Sequence, residues 1–172
     1  MAFVQLSQSC RDGISIMIFV EGTIFKPKAK LYLFSFQNYV PVGNCVTIIS
    51  RWHELGARIC YCTSRKGRHV GVIAKLLERY GLPGEKLYYR DRGQTYKDIV
   101  EAVKPDVLIE DDCKSIGGVR QMCITHVSPE VKKNINSVVV NEFEGIDHLE
   151  DQSLRIFKHE DLRDDNCFFA GK

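Results

Sequence analysis

The stretch Ile14-Ser-Ile-Met-Ile-Phe-Val-Glu-Gly-Thr-Ile24 decides the fold. Its first part, Ile14–Val20, is apolar apart from Ser15, which is typical of a strand that is covered on both faces. The run ends at Glu21-Gly22-Thr23, where an acid, a glycine and a hydroxyl residue follow one another. Polar residues directly after a buried strand predict a site at the carboxyl edge of an open α/β sheet.

Further apolar runs alternate with amphipathic stretches along the chain. Strands are predicted at Ala57–Cys62, Lys86–Tyr89 and Asp106–Ile109, and helices are predicted from caps at Asn44 and Thr95 and after Gly67. This alternation predicts βαβ units, and therefore a three-layer, Rossmann-like α/β fold with a parallel central sheet. Two later runs, Gln121–Thr125 and Ser137–Val140, are further strand candidates.

The sequence predicts one domain over residues 14–149. A chain of 172 residues is long enough to bury a sizeable core. Residues 1–13 are predicted to be a loose, polar lead-in. Residues 150–172 are a charge-dense tail, for which one amphipathic helix around Leu154–Leu162 and disorder both stay open. The segment from Lys26 to Pro41 is too short for a full cap domain, although a small flap or hairpin fits there.

Composition argues against several classes of partner. The net charge is only +2 and Lys and Arg are spread along the chain, which favours neither a nucleic-acid surface nor a membrane patch. No apolar run approaches the ~20 residues that span a bilayer, and the first residues lack the layout of a signal peptide. The seven cysteines are odd in number and lie mostly in apolar runs. The sequence therefore predicts a cytoplasmic protein with reduced thiols.

Polar residues follow three of the predicted strands. Besides Glu21-Gly22-Thr23, these are Thr63-Ser64-Arg65 and Glu110-Asp111-Asp112, and Lys97 begins a helix at the same edge. Adjacent carboxylates suit Mg²⁺, which prefers few carboxylates plus waters and a phosphate. Hydroxyl groups and a lysine hold phosphoryl oxygens. The edge is therefore predicted to form a pocket for magnesium and phosphate.

Taken in order, these residues resemble the haloacid dehalogenase-like superfamily of hydrolases. The resemblance covers roughly residues 14–125 and depends on Gly-Thr, Thr-Ser-Arg, a lysine and Asp-Asp, three of them directly after apolar strands. It implies a divergent, capless or minimally flapped member. In the superfamily, Asp-x-Asp-Gly-Thr carries the nucleophilic aspartate first and the acid–base aspartate two residues later. The last acidic pair holds Mg²⁺ together with the nucleophile.

Carried over to this chain, the resemblance implies a nearly complete site. Phosphate binding falls on Thr23, Thr63, Ser64 and Lys97, metal binding on Glu21, Asp111 and Asp112, and the acid–base position on Glu21. Lys104 competes with Lys97 but lies at the far end of the helix. Phe19 falls on the position of the nucleophile, and phenylalanine can neither attack phosphorus nor ligate magnesium.

Three outcomes for the chemistry stay open at this point. Glu21 is itself one candidate nucleophile, with Thr23 two residues on. Glu21 with Asp111 and Asp112 is a candidate Mg²⁺ site that activates water without a covalent step. Loss or severe weakening of phosphatase activity is the third. The sequence thus predicts a weak or altered phosphohydrolase, and the alternative is a non-catalytic module that binds a phosphorylated small molecule or macromolecule.

Overall fold

The computed structural model describes residues 1–6, 13–29, 31 and 35–149. Its strands are β1 (Ala2–Gln5), β2 (Ser15–Phe19), β3 (Phe25–Pro27), β4 (Tyr39–Pro41), β5 (Arg58–Thr63), β6 (Lys86–Tyr89), β7 (Val107–Asp111) and β8 (Asn136–Val140). Its α-helices are α1 (Cys45–Glu54), α2 (Arg68–Arg79), α3 (Tyr96–Val103) and α4 (Pro129–Lys132). In this part of the chain, no helix is long and apolar enough to cross a membrane.

Six strands form one sheet in the order β1-β6-β5-β2-β7-β8. β2, β5, β6, β7 and β8 are parallel, and β2 lies between β5 and β7, where Ile18 pairs with Tyr61 on one side and Ile109 on the other. The predicted α/β, Rossmann-like fold is confirmed. The sheet is mixed rather than purely parallel, because β1 runs antiparallel to β6.

Alternate side chains of β2 enter two separate cores, because successive residues of a strand point to opposite faces. Ile16 and Ile18 pack with buried residues of α1 and α2 on one face. Met17 and Phe19 pack with buried residues of α3 on the other. Helices therefore cover both faces of β2, which explains why it is apolar from Ile16 to Phe19.

The predicted loose lead-in is wrong for residues 2–5, which form the edge strand β1. Ala2 pairs with Tyr89 and Gln5 with Lys86, and the Phe3 and Tyr88 rings meet edge to face with centroids 5.9 Å apart. Pairing with β1 satisfies backbone groups of β6 that an open edge would leave exposed.

The predicted small flap is confirmed in outline. β3 and β4 pair antiparallel, with Phe25 opposite Pro41, and form a separate two-stranded sheet. A 3₁₀ turn at Phe36–Asn38 leads into β4. Residues 30 and 32–34 of this segment, and the whole predicted tail 150–172, lie outside the described residues.

Of the two residues predicted to cap helices, one does so and the other does not. Thr95 caps α3 as predicted: the Asp98 N–H donates to Thr95 Oγ1 at 3.2 Å and the Thr95 N–H donates to Asp98 Oδ2 at 2.7 Å. Asn44 precedes α1 but makes no side-chain cap, so that prediction is wrong. Its backbone N–H and its side-chain amide both donate to the Asp147 carboxylate, at 2.8 and 3.4 Å.

The predicted strand at Gln121–Thr125 is also wrong, and Glu110 explains why. The segment forms 3₁₀ turns, and the backbone N–H groups of Cys123 and Ile124 donate to the buried Glu110 carboxylate at 2.6 and 2.9 Å. Those donors are therefore not available to a sheet. Glu110 therefore points away from the acids that follow it.

Glu110→Ala is expected to lower the free energy of unfolding by about 2 kcal/mol, because it leaves two buried N–H groups without an acceptor. Chemical denaturation measures the change. Glu110→Gln, which keeps one carbonyl acceptor, is the matched control and is expected to lose less. Equal stability of Glu110→Ala and the wild type would show that this carboxylate does not hold the segment.

The described cysteines Cys45, Cys60, Cys62, Cys113 and Cys123 are free thiols, in agreement with the prediction of reduced cysteines. Burial raises the pKa of Cys60 to about 12, so this thiol stays protonated and behaves as core. Cys10 and Cys167 lie outside the described residues.

Candidate functional site

The turn after β2 brings its polar residues against the end of β7. Gly22 has φ +85°, and a Cβ on it would lie 2.6 Å from Asp111 Oδ1. Only glycine tolerates both this backbone conformation and this close approach. The Gly22 carbonyl accepts a hydrogen bond of 2.7 Å from the Phe143 N–H, which ties the segment after β8 to the same turn.

Asp111 lies at the carboxyl end of β7 and is only 7% exposed. The Thr23 hydroxyl donates to its Oδ1 at 3.4 Å, and the Cys113 N–H donates to its Oδ2 at 3.0 Å. Burial raises the pKa of Asp111, because desolvation disfavours the charged form. A buried carboxylate of this kind is stabilised by a cation partner.

Two more carboxylates lie beside Asp111. Ligand oxygens of Asp111, Asp112 and Glu142 all lie within 4.8 Å of one another. Glu142 follows β8, and its backbone N–H donates to Asp112 Oδ1 at 3.2 Å. Three hard oxygen donors in this spacing fit a magnesium ion. The sequence reasoning named Asp111 and Asp112 but missed Glu142, although its place two residues after a predicted strand was a usable signal.

Two of these acids already have partners in the chain. Lys114 Nζ lies 2.8 Å from Asp112 Oδ2, and this ammonium group lowers the pKa of Asp112. Ser115 donates to Glu142 through its hydroxyl at 2.6 Å and its N–H at 2.8 Å. The Lys114 side chain is 70% exposed, so it can move away from Asp112 at little cost when a metal binds.

Glu21 lies at the same edge but contacts the end of β5. Its carboxylate accepts hydrogen bonds from the Thr63 hydroxyl at 2.5 Å and the Ser64 N–H at 2.9 Å, and Arg65 Nε lies 3.3 Å from Oε1. Glu21 does not belong to the group of carboxylates around Asp111. It therefore occupies the donors that the sequence assigned to a phosphate.

Arg65 closes this side of the site. Its guanidinium donates to the Ser64 hydroxyl and lies over the Phe36 ring, 4.4 Å from the centroid. An open cleft of about 360 Å³ lies beside it, lined by Phe36, Ser64, Arg65, Lys66 and His69. The cleft lies at the carboxyl edge of the sheet and is lined by cationic side chains, so it can accept an anionic group.

The position that the resemblance assigns to a nucleophile is apolar. Phe19 is 9% exposed and packs in the core cluster with Met17 and Cys62. Its ring meets the Tyr96 ring edge to face, with centroids 5.2 Å apart and planes at 81°. Two aromatic rings thus fill the space where the resemblance places a reactive carboxylate.

Lys97 and Lys104, the two candidate lysines, are not among the described contacts of Glu21 or Asp111. Lys97 Nζ lies 3.8 Å from Glu101 Oε1, one turn along α3, and Lys104 ends that helix in a left-handed conformation. Arg90, which the sequence reasoning missed, directly follows β6, and its guanidinium lies 4.1 Å from the centroid of the Tyr96 ring. Its place just after a predicted strand was the signal.

Solved structures that share the fold of this chain include a phosphatase and a chain of an RNA repair complex. The class C acid phosphatase from Bacillus anthracis, solved with tungstate bound, has a TM-score of 0.56 and 13% identity over 85% of this chain and 79% of that chain. A chain of the Pnkp1/Rnl/Hen1 RNA repair complex has a TM-score of 0.54 and 13% identity over 80% of this chain and 46% of its own length.

A third similarity is weaker. The D,D-heptose 1,7-bisphosphate phosphatase from B. bronchiseptica, complexed with magnesium and phosphate, has a TM-score of 0.49 and 13% identity over 83% of this chain and 98% of that chain. No protein-family model matches this sequence, and no curated protein matches it. The two similarities with TM-scores above 0.5 show the fold alone, an α/β, Rossmann-like fold. A shared fold does not determine the chemistry of the site, which depends on the side chains of this protein.

Proposed function

We propose that the protein binds a phosphorylated ligand together with Mg²⁺ at the carboxyl edge of its sheet, on a phosphatase scaffold that has lost the covalent step. The observation that carries this proposal is the packing of Phe19. The aspartyl-phosphate route needs a carboxylate at this position, and the chain has a buried ring held against Tyr96. The ligand is a phosphorylated small molecule or macromolecule.

Asp111, Asp112 and Glu142 would hold the magnesium ion. A magnesium ion bound there would supply Lewis-acid stabilisation of phosphoryl oxygens. The Lys114 ammonium group has to leave Asp112 when the metal binds. On the other side, the cleft beside Arg65 places cationic groups where a negatively charged ligand enters.

A weak phosphohydrolase without a covalent intermediate is the second candidate. The retained acidic group favours it, because Asp111 is buried and Asp112 and Glu142 bring further negative charge within 4.8 Å of it. Glu21 stands at the acid–base position, but its carboxylate is engaged by Thr63, Ser64 and Arg65. A proton transfer through Glu21 therefore requires these contacts to break, which predicts slow turnover.

A binding and turnover assay separates the two candidates. The wild-type protein is expected to bind inorganic phosphate in the presence of Mg²⁺ by calorimetry, and to hydrolyse a panel of phosphomonoesters no faster than a no-protein blank. It is also expected to show no phosphoryl adduct by intact mass spectrometry. Hydrolysis that Asp111→Asn abolishes would overturn the binding function in favour of the enzyme. If the wild-type protein does not bind phosphate, both candidate functions are wrong.

A further inference from the structure

Two buried polar atoms beside the site have no hydrogen-bond partner among the described residues: Arg90 Nε and Tyr96 Oη. Most buried polar atoms in folded proteins are paired, so an unpaired one needs an explanation, such as a missing ligand, ion or water. Here two such atoms belong to side chains that stack on each other. Because the two unpaired atoms lie on neighbouring side chains, they are candidates for contact with the same ligand.

Both residues lie at the carboxyl edge of the sheet. Thr63 pairs with Tyr89 across β5 and β6, so Arg90 follows at the level of Ser64 on the neighbouring strand. Tyr96 begins α3, and its ring contacts Phe19. Stacking on Tyr96 holds the Arg90 guanidinium in place, which reduces the entropy lost when it binds a ligand.

The two groups are suited to an oxyanion. Arg90 is always charged and only donates hydrogen bonds. Burial raises the pKa of Tyr96 well above its ordinary value, so its hydroxyl stays protonated and is able to donate. Glu21 and Arg65 are the other charged groups that act on this hydroxyl. Glu21 does not accept from this hydroxyl, which has no hydrogen-bond partner among the described residues, and its carboxylate accepts from Thr63 and Ser64 instead.

The groups that the sequence assigned to phosphate binding are already engaged, and among them the Thr23 hydroxyl donates to Asp111. Glu21 takes the Thr63 hydroxyl and the Ser64 N–H, and the Lys97 ammonium group lies near Glu101. We infer that Arg90 and Tyr96 form an oxyanion-binding pair that receives a phosphoryl oxygen of the ligand in place of Thr63, Ser64 and Lys97. The ligand class in this inference depends on the proposed function.

Phosphate binding by point variants tests the pair. With inorganic phosphate as the probe, Arg90→Gln is expected to weaken binding about tenfold or more, and Tyr96→Phe about fivefold, because each removes a donor to a charged acceptor. Lys97→Gln is the matched control, and its affinity is expected to stay within about twofold of the wild type. Calorimetry with the full chain in Mg²⁺ gives the dissociation constants.

Stability measurements keep the result interpretable. Tyr96→Phe keeps the ring against Phe19 and removes an unpaired hydroxyl, so its unfolding midpoint without phosphate is expected to equal or exceed that of the wild type. Phosphate is then expected to raise the midpoint of the wild type more than that of the variant. Unchanged affinity in Arg90→Gln and Tyr96→Phe would overturn the pair, as would a loss confined to Lys97→Gln. A wild type that binds no phosphate would instead overturn the proposed function, and the pair with it.

Discussion

Phe19→Asp is expected to lower the free energy of unfolding by about 3–5 kcal/mol, the usual cost of truncating a buried phenylalanine. The ring is 9% exposed and contacts Tyr96 in a cluster of apolar side chains, so the variant loses this packing and brings a carboxylate into the same place. Chemical denaturation followed by circular dichroism measures the change. The expected loss is a large part of the total stability of a domain of this size.

Two control variants separate packing from charge. Phe19→Leu keeps most of the apolar volume and is expected to lose less than half as much stability. Phe19→Asn has nearly the shape of the aspartate without its charge, and the difference between the two reports the cost of the charge. If Phe19→Asp is as stable as the wild type, the position is not part of the core, and the argument for a lost nucleophile fails.

The same Phe19→Asp variant is not expected to regain phosphatase turnover. A carboxylate at this position restores one group of the superfamily site, but the Thr63 hydroxyl and the Ser64 N–H still bind Glu21. A phosphoryl group has to displace that carboxylate before it can use these donors. Turnover of phosphomonoesters by Phe19→Asp alone would show that Glu21 leaves its partners readily, and it would strengthen the second candidate function.

Much of the fold was predictable because local and global signals agree. The apolar run that became β2 and the Thr95–Asp98 capping box each fix an element from nearby residues. β1 was missed because a run of four residues, three of them apolar, is too short to show a clear period, and only the edge of β6 gives it a role. Gln121–Thr125 was mistaken for a strand because its apolar residues do suit one. The deciding group, the Glu110 carboxylate, comes from another element.

The candidate site was predictable as a set of strand ends but not as a set of contacts. Parallel strands bring their carboxyl ends together, so Glu21, Thr63 and Asp111 had to lie at one edge. Which partner Glu21 chooses depends on the direction of a single side chain, and spacing along the sequence does not contain that information. Glu142 and Arg90 could have been predicted in the same way, because each follows a parallel strand of this sheet by one or two residues.

Asp111→Asn is expected to abolish stabilisation of the protein by Mg²⁺. In the wild type, a magnesium ion bound to the native state alone, at a hundredfold excess over its dissociation constant, adds about 2.7 kcal/mol to the free energy of unfolding. Asp111 is the most buried of the three acids, and its amide isostere removes one of the negative charges within 4.8 Å. Denaturation with and without Mg²⁺ measures the difference.

Without Mg²⁺, Asp111→Asn is expected to be at least as stable as the wild type. Burial disfavours the charged form of Asp111, so a neutral side chain of the same shape avoids that cost while its carbonyl still accepts from Thr23 or Cys113. Glu130→Gln, an exposed acid on α4, is the control and is expected to keep the full response to Mg²⁺. If Mg²⁺ stabilises Asp111→Asn as much as the wild type, the cation binds elsewhere, and the acids at the end of β7 serve the chain only through their hydrogen bonds and the Lys114 ion pair.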